Sequence, residues 1–220
     1  MNTTTSSALV PAAEGNPLRG RFNAWFFRVM DETMHRLLGD RKQRLFARLP
    51  SSVVELGPGT GANFRYYRPS TQVIGIEPNP YMHDTLREHA KRRGMELELV
   101  AASAHDTGLA DQSVDAVVCT LVLCTVEDPE AVVAEVRRIL RPGGRFIFVE
   151  HVAAAPGTPL AGLQKMVRHP WCWCFEGCQV TRDTQEVIES ANFRSTEIEQ
   201  YRLRSIFLPF NPQIAGVAIA

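Results

Sequence analysis

The chain has 220 residues, 45% of them hydrophobic, which suits one compact domain with a full core and not two domains. Lysine plus arginine balance aspartate plus glutamate at 24 each, and no basic stripe interleaved with aromatic residues is present, so nucleic acid is not an expected partner. No stretch approaches the roughly 20 apolar residues of a membrane span, and an odd number of cysteines argues against a secreted disulfide framework, so we expect a cytoplasmic protein with reduced thiols.

The N-terminal region is predicted to be a disordered tail followed by helices. Residues 1–19 are rich in Thr, Ser, Ala, Pro and Gly, which is typical of a tail. Apolar side chains then recur at helical spacing, at Phe22, Trp25, Phe26, Val29 and Met30. This amphipathic helix is followed by a second predicted helix over about 40–49. The apolar stripe has three open interpretations: packing on a sheet, a lid over a reaction centre, or binding at a membrane surface.

From residue 53 onward, predicted strands and helices alternate. The strands are expected at 53–56, 73–76, 96–100, 115–120 and 145–150, and the helices at about 62–67, 80–92 and 128–139. Such alternation indicates parallel strands with crossover helices on both faces of a sheet. No clear period holds from 154 to 181, and a helix at 182–191 and strands at 195–201 and 213–219 complete the prediction.

A glycine-rich turn follows the first predicted strand. Gly57, Gly59 and Gly61 have the spacing G-x-G-x-G, and Glu77 closes the next apolar run. Backbone without side chains at a strand's carboxyl end lets a ligand lie against it, and a carboxylate at the tip of the neighbouring strand can accept both hydroxyls of a ribose. The turn lacks the dinucleotide spacing and the Walker lysine, and Pro58 has no amide hydrogen. The pattern therefore predicts a nucleoside site and not a pyrophosphate site.

These segments resemble the class I S-adenosylmethionine-dependent methyltransferases over about 53–150. The glycine turn matches their first motif, Glu77 their ribose acid, and 102–105 their adenine segment, where Ser103 replaces the usual acid and Asp106 lies close by. The resemblance implies a single-domain, Rossmann-like α/β fold with a mostly parallel seven-stranded sheet, helices on both faces and a C-terminal antiparallel hairpin. Within a domain of 20–220, we expect a helical lid at 20–49, a cofactor-binding core at 53–150, and substrate-side residues with the C-terminal strands at 151–220.

The resemblance also implies that S-adenosylmethionine is the cofactor. The residues expected to contact it are Glu55, Gly57, Gly59, Gly61, Asn63, Glu77, Pro78, Ser103, Ala104, His105, Thr120 and Leu121.

A narrower resemblance, to the methyltransferase-like 7 branch, covers about 53–220. It rests on the segments 117–124, 150–154 and 177–183, together with 61–64 and 78–80. Members of this branch methylate alkyl thiols, so the implied acceptor is a small-molecule thiol. The chain departs from the branch at the N-terminus, where we expect no apolar membrane anchor. Two other functions stay open: an N-, O- or C-methyltransferase acting on a lipid, quinone or natural product, and a nucleoside-binding regulatory protein without turnover.

A thiol acceptor needs to lose its proton, because the thiolate is the nucleophile and a free alkyl thiol has a pKa of about 8.5. His151, expected at the carboxyl end of the fifth strand, is the first candidate base, and Asp106 is the second. A histidine that only hydrogen-bonds a loop is the alternative. The predicted acceptor pocket is lined by Phe22, Trp25, Phe26, Cys124, His151, Trp171, Trp173 and Phe175. Core packing is the alternative for its aromatic residues and for Cys124.

A zinc site is the last possibility that the sequence raises. Cys172, Cys174 and Cys178 form C-x-C-x3-C with His169 nearby, and thiolates with imidazole suit that metal. The spacing differs from the usual C-x2-C pair, and a pocket lining explains the segment as well. We therefore predict no metal.

Overall fold

The computed structural model describes residues 17–175 and 177–220, and the strands in these ranges form one seven-stranded sheet. The strands are β1 (Ser52–Leu56), β2 (Gln72–Ile76), β3 (Glu96–Val100), β4 (Val114–Thr120), β5 (Leu140–His151), β6 (Ser195–Arg202) and β7 (Pro212–Ile219). Their order is β3-β2-β1-β4-β5-β7-β6, with β1 to β5 parallel and β7 antiparallel to both of its neighbours. The predicted Rossmann-like sheet with a C-terminal antiparallel hairpin is therefore confirmed.

The helices are α1 (Pro17–Phe46), α2 (Pro80–Arg92), α3 (Pro129–Ile139), α4 (Pro159–Cys174) and α5 (Thr184–Ser190), with short 3₁₀ helices at Ala62–Tyr66 and Leu208–Phe210. Side-chain caps fix where four of them begin. Asn79, Asp128, Thr158 and Asp183 accept backbone N–H groups at 3.1, 2.9, 3.2 and 3.2 Å in the first turns of α2, α3, α4 and α5. In the described ranges, no helix combines the length and the apolarity needed to cross a bilayer.

Apolar residues cover both faces of the sheet. Along β4, Val117 and Cys119 pack in the core on one face with α3 and α5, while Ala116 and Val118 pack in the core on the other face with α2. Successive side chains of a strand point to opposite faces, so a continuous apolar run is what a strand buried on both faces requires. Helices therefore cover both faces, as predicted.

The helical region before β1 differs from its prediction. One continuous helix, α1, replaces the two predicted helices, and it includes residues 17–19 of the predicted tail; residues 1–16 lie outside the described ranges. The predicted break falls at Gly39, but one glycine weakens a helix by only about 1 kcal/mol. Leu38 and Phe46, buried against the sheet on either side of the glycine, outweigh that cost.

The segment between β5 and α5 also differs. α4 forms within the stretch that showed no clear period, and Pro170 lies inside it. A proline removes one helical hydrogen bond, so its presence argues against a helix unless tertiary packing compensates. Here Val167, Trp171 and Phe175 of this segment pack against the buried residues Cys124, Cys178 and Val180. The fifth strand, predicted at 145–150, begins earlier, at Leu140, and its pairing with β4 is irregular between Leu140 and Arg145.

Candidate active site

The glycine turn lies at the carboxyl end of β1, where the strand order reverses. Gly57, Gly59 and Gly61 all have a positive φ, of 57°, 58° and 86°, a backbone region that glycine enters without steric cost. Glu77 follows β2 and is 4% exposed; its carboxylate accepts the N–H of Gly59 at 2.9 Å and the N–H of Asn79 at 2.8 Å. The structure thus brings the predicted ribose acid onto the glycine loop, with the half-buried Pro78 next to it.

A buried polar network supports this loop from below. Asn63 donates to Glu55 at 2.7 Å and to the Thr120 hydroxyl at 2.8 Å, and it accepts from the Lys42 ammonium at 2.8 Å. Tyr67 donates to the other oxygen of Glu55 at 2.8 Å. Burial raises the pKa of Glu55 and lowers the pKa of Lys42 to about 8, because both charged forms lose hydration.

The network changes the interpretation of three predicted cofactor residues. Asn63 hydrogen-bonds both Glu55 of β1 and Thr120 of β4, so the three residues support the cradle; their direct contact with a cofactor stays a prediction. Sequence reasoning missed Lys42, since its position in the second predicted helix gave no sign that its ammonium is buried.

The predicted adenine segment forms a tight turn after β3. The Ser103 hydroxyl lies 2.7 Å from His105 Nδ1, and the backbone N–H of Asp106 donates to the Ser103 carbonyl at 3.1 Å. Ala104 is buried, whereas His105 and Asp106 are exposed. Because β3 is separated from β5 by three strands, the candidate bases Asp106 and His151 leave different parts of the sheet. The role of Asp106 as a base stays a prediction.

The loop after β4 is held by a carboxylate that sequence reasoning missed. Glu150, fully buried in β5, accepts the backbone N–H groups of Val122, Leu123 and Cys124 at 2.9, 3.2 and 3.4 Å. Leu121, a predicted cofactor contact at the start of the loop, has a φ of 60°, which is uncommon for a residue with a side chain. An acid at the end of an otherwise apolar strand is the signal that marks Glu150, because such a charge requires buried partners.

The predicted pocket residues Cys124 and His151 meet Cys178 in one buried cluster. The two sulfur atoms and one imidazole nitrogen all lie within 4.8 Å of one another. His151 Nε2 is 2.8 Å from Cys178 Sγ, and the Trp171 indole N–H donates to the same sulfur at 3.2 Å. The Cys124 thiol and then the adjacent His151 outweigh burial and lower the pKa of Cys178 to about 5, whereas the contact with Cys178 and burial raise the pKa of Cys124 well above its usual value.

The structure does not bring together the three cysteines that are close in sequence, Cys172, Cys174 and Cys178. Cys172 and Cys174 are half-buried in α4, where Cys172 accepts from the Gln179 side chain at 3.4 Å. Cys178 instead lies with Cys124 and His151, which come from separate segments. Spacing along the chain could not reveal this cluster, because its members are brought together by β4 and β5.

The predicted aromatic lining divides into packed and exposed members. Phe26 of α1 contacts Phe175, with centroids 5.3 Å apart, and Phe175 contacts Trp171 beside Cys178. Phe22, Trp25 and Trp173 are 43%, 52% and 66% exposed. The N-terminal half of α1 therefore reaches the buried cluster through Phe26, while its C-terminal half packs on the sheet.

Comparisons with known proteins agree with this geometry. A profile of the family described as "Methyltransferase domain" matches residues 54–148. Human thiol S-methyltransferase TMT1B is 36% identical over 92% of this chain and 88% of its own length, and human TMT1A is 38% identical over 83% and 79%. A solved SAM-dependent methyltransferase of Thermotoga maritima, described as a possible histamine N-methyltransferase, has the same fold (TM-score 0.65, 20% identity, 91% of this chain and 97% of that one). The predicted resemblance is confirmed, and the chain belongs to the thiol S-methyltransferase family of the S-adenosylmethionine-dependent methyltransferases.

Proposed function

We propose that this protein transfers the methyl group of S-adenosylmethionine to the sulfur of a small-molecule thiol. The observation that carries the proposal is the position of the His151 and Cys178 pair. The pair lies beside the β4 loop, which begins at Leu121 next to the nucleoside cradle. A buried imidazole at this edge suits an acceptor that has to lose a proton before it reacts. The names of the relatives TMT1A and TMT1B agree with the same acceptor class.

The donor side of the site needs few chemical groups. The methyl group is already activated on a sulfonium, so the protein has to hold the acceptor sulfur and the methyl carbon about 3 to 3.5 Å apart and in line. In our proposal the glycine loop lies against the nucleoside, Glu77 accepts the ribose hydroxyls, and the turn at 103–105 flanks the adenine. These contacts fix the donor and leave the β4 loop facing the acceptor.

The acceptor side supplies the base and the walls. A thiol with a pKa of about 8.5 is only a few per cent ionised at neutral pH, so a base that takes the proton raises the reactive fraction. We assign this step to His151. Trp171, Phe175 and Phe26 form an aromatic wall next to the pair, which suits the alkyl part of a thiol and the positive sulfonium.

The proposal is tested with matched acceptors that share one alkyl chain and differ in the reacting group. The purified protein is incubated with S-adenosylmethionine and an alkanethiol, alkylamine or alkylated phenol, and mass spectrometry measures the gain of one methyl group. We expect methylation of the thiol. Methylation of the amine or the phenol without the thiol would favour an N- or O-methyltransferase. Donor that stays intact with every acceptor would favour the regulatory alternative.

The cellular location and the partner of the protein are predicted from its composition. Balanced charge and free cysteines favour a cytoplasmic location and a small-molecule partner over nucleic acid. Fractionation of cells that produce the full chain, followed by immunodetection, measures the location directly. Recovery in the membrane pellet would contradict a cytoplasmic location.

A further inference from the structure

The buried cluster of Cys124, His151 and Cys178 contains a hydrogen-bond arrangement that the proposed reaction has not yet used. Cys124 lies in the loop after β4, His151 ends β5, and Cys178 follows α4. The three are 1%, 0% and 5% exposed, so water does not compete for their contacts. Titratable groups in such a setting interact strongly with one another.

The sulfur of Cys178 has three polar neighbours. An indole nitrogen can only donate, so the contact from Trp171 at 3.2 Å makes Cys178 Sγ an acceptor. His151 Nε2 lies at 2.8 Å from the same sulfur, and the Cys124 thiol is a third neighbour. The Cys124 contact and the Trp171 N–H favour a thiolate over a thiol, in agreement with the lowered pKa of Cys178.

A thiolate at Cys178 decides the tautomer of His151. The proton of a neutral imidazole then lies on Nε2, where it is donated to the sulfur, and Nδ1 carries the lone pair. In the part of the chain that the structure describes, His151 Nδ1 is buried without a hydrogen-bond partner. An unsatisfied buried acceptor is costly, and it is therefore a position where a ligand proton is stabilised.

We propose that Cys178 is a positioning thiolate that holds His151 with Nε2 protonated, so that Nδ1 takes the proton of the acceptor thiol. The inference rests on the proposed thiol methylation and extends it by a named partner for the base. Cys178 has the place that a carboxylate has in an aspartate–histidine pair: it fixes the tautomer and stabilises the imidazolium that forms. It touches neither donor nor acceptor.

The proton and electron balance closes without a further reactant. The S–H bond of the acceptor breaks, and its proton moves to Nδ1. The acceptor thiolate then forms a bond to the methyl carbon as the bond from that carbon to the sulfonium breaks, which leaves neutral S-adenosylhomocysteine and a thioether. The imidazolium returns its proton to water when the products leave, and Cys178 ends as it began.

Other titratable groups face the pair and bear on its charge. Glu150 precedes His151, and burial raises the pKa of its carboxyl. Cys124 stays a thiol, because the pKa of its sulfur is raised. The Phe210 ring packs edge-on against the imidazole, with centroids 5.6 Å apart, and excludes water from that side. Among these neighbours, Cys178 is the group that supplies a negative charge at Nε2.

The test compares two variants. Cys178→Ala removes the proposed thiolate, and Cys178→Asp replaces it with a carboxylate. Catalytic efficiency, kcat/KM, is measured with one alkanethiol from about pH 6 to pH 9.5. We expect Cys178→Ala to lose at least about tenfold at the acid end, where the free acceptor is mostly protonated, and to recover as the acceptor ionises by itself near about pH 8.5. Cys178→Asp is expected to regain part of the loss at the acid end. A Cys178→Ala profile parallel to the wild type, or equal loss in both variants, would overturn the proposal.

Controls separate this inference from simpler explanations. Cys174→Ala removes a half-buried thiol of α4 outside the cluster and is expected to leave the pH profile unchanged. S-adenosylmethionine should raise the melting temperature of each variant equally if the cofactor cradle is intact. Should Cys178→Ala fail to fold, the tautomer is measured in the wild type by NMR of ¹⁵N-labelled histidine. A proton on Nε2 of His151 and none on Nδ1 is expected, and a protonated Nδ1 in the resting protein would refute the inference.

A metal at the cluster is the competing outcome, since two thiols and an imidazole are also metal ligands. Elemental measurement of zinc in the purified protein decides between a metal site and a hydrogen-bonded thiolate. One zinc per chain, with activity lost on chelation, would make Cys178 a ligand and overturn its role as a hydrogen-bond acceptor. If no thiol is methylated by the wild type, the proposed function fails; if thiols are methylated and Cys178→Ala keeps the wild-type profile, only this inference fails.

Discussion

The carboxylate of Glu150 accepts the backbone N–H of Val122 at 2.9 Å, so the end of β5 holds the loop that leaves β4. From the other side, the Arg182 guanidinium donates to the carbonyls of Leu123 and Val126, both at 2.6 Å. The loop starts at Leu121 in a left-handed conformation, which persists only where the surroundings enforce it. The Glu150 carboxylate and the Arg182 guanidinium therefore fix the β4 loop, which lies between the nucleoside cradle and the buried cluster.

Glu150→Gln is expected to loosen this loop. The amide keeps one acceptor but presents an NH₂ group to backbone donors, so at least one buried N–H loses its partner, at a cost of about 1–3 kcal/mol in the free energy of unfolding. Denaturant unfolding measures the stability, and calorimetry measures the affinity for S-adenosylmethionine, which should fall as well. Glu127→Gln, an exposed change in the same loop, is the control. Equal stability of the two variants would contradict a role for the carboxylate.

Glu77→Ala is expected to weaken cofactor binding. A ligand that binds only the native state stabilises it by about 2.7 kcal/mol at a hundredfold excess over Kd, so the wild type should show a large rise in melting temperature with S-adenosylmethionine. The variant should lose most of that rise, because the carboxylate contacts both the predicted ribose and the Gly59 N–H. Glu98→Ala, an exposed change in β3, should keep it. A rise in melting temperature with NAD or ATP but not with S-adenosylmethionine would argue against a cradle for S-adenosylmethionine.

The donor half of the site could be predicted because its parts are close in sequence. The glycine turn and Glu77 lie at the ends of adjacent parallel strands, and the interval between them is set by one short crossover. The β-branched runs that form β1, β2 and β4 also carry a local signal, since burial on both faces requires apolar side chains at every position. Such patterns need no knowledge of distant contacts.

The acceptor half depends on contacts between distant segments. His151 and Cys178 are 27 residues apart, and Glu150 and Val122 are 28 residues apart. Their pairing follows from the order of β4 and β5 in the sheet and from the path of α4, which lies in a stretch without a clear helical period in the sequence. Residue types alone showed that His151 and Cys124 were candidates, and only the fold showed which partners they have.

Glu135 gives the turn after β3 an acid-sensitive anchor. Its carboxylate accepts the Thr107 N–H at 2.9 Å and the Arg138 guanidinium at 2.6 Å. Burial alone would raise the pKa of Glu135, but the bonds from Arg138 and Thr107 outweigh it and lower the pKa to about 2. Because the folded pKa is depressed, this stabilisation is complete above the ordinary pKa of about 4.5 and is lost as the pH falls toward 2.

We therefore expect the melting temperature of the wild type to fall more steeply than that of Glu135→Gln between about pH 4.5 and pH 2. Glu130→Gln, an exposed change on the same helix, is the control and should follow the wild type. Scanning calorimetry over this range makes the comparison. Identical slopes for the wild type and Glu135→Gln would show that the carboxyl is not held ionised.

Phe26→Ala tests whether α1 acts as a lid. The Phe26 ring joins α1 to Phe175 near the buried cluster, and its loss should admit water and disorder the acceptor pocket. We expect a higher KM for the thiol and a lower kcat, with a nearly unchanged affinity for S-adenosylmethionine. Val29→Ala, at a position 57% exposed on the same helix, should behave as the wild type. Equal kinetics of the two variants would favour the interpretation of the stripe as simple packing.

Gly57→Ala and Gly94→Ala separate backbone strain from close approach at the cradle. Both glycines have similar φ values, of 57° and 63°, so each substitution carries a left-handed penalty of about 1–2 kcal/mol. A Cβ on Gly94 would meet nothing within 4 Å, whereas a Cβ on Gly57 would lie 2.6 Å from the Val122 side chain. Relief of that clash has to turn the Val122 side chain out of its rotamer or displace the β4 loop that Glu150 holds, and overpacking of this kind adds about 1–3 kcal/mol.

We therefore expect Gly57→Ala to lose more stability than Gly94→Ala and, unlike it, to bind S-adenosylmethionine more weakly. Chemical denaturation measures the first difference, and calorimetric titration with the cofactor measures the second. Because both variants have the same backbone strain, any excess effect at Gly57 reports on its contact with Val122. Equal stabilities and equal cofactor affinities in the two variants would mean that the β4 loop yields freely, and would contradict the rigid support that Glu150 and Arg182 are inferred to provide.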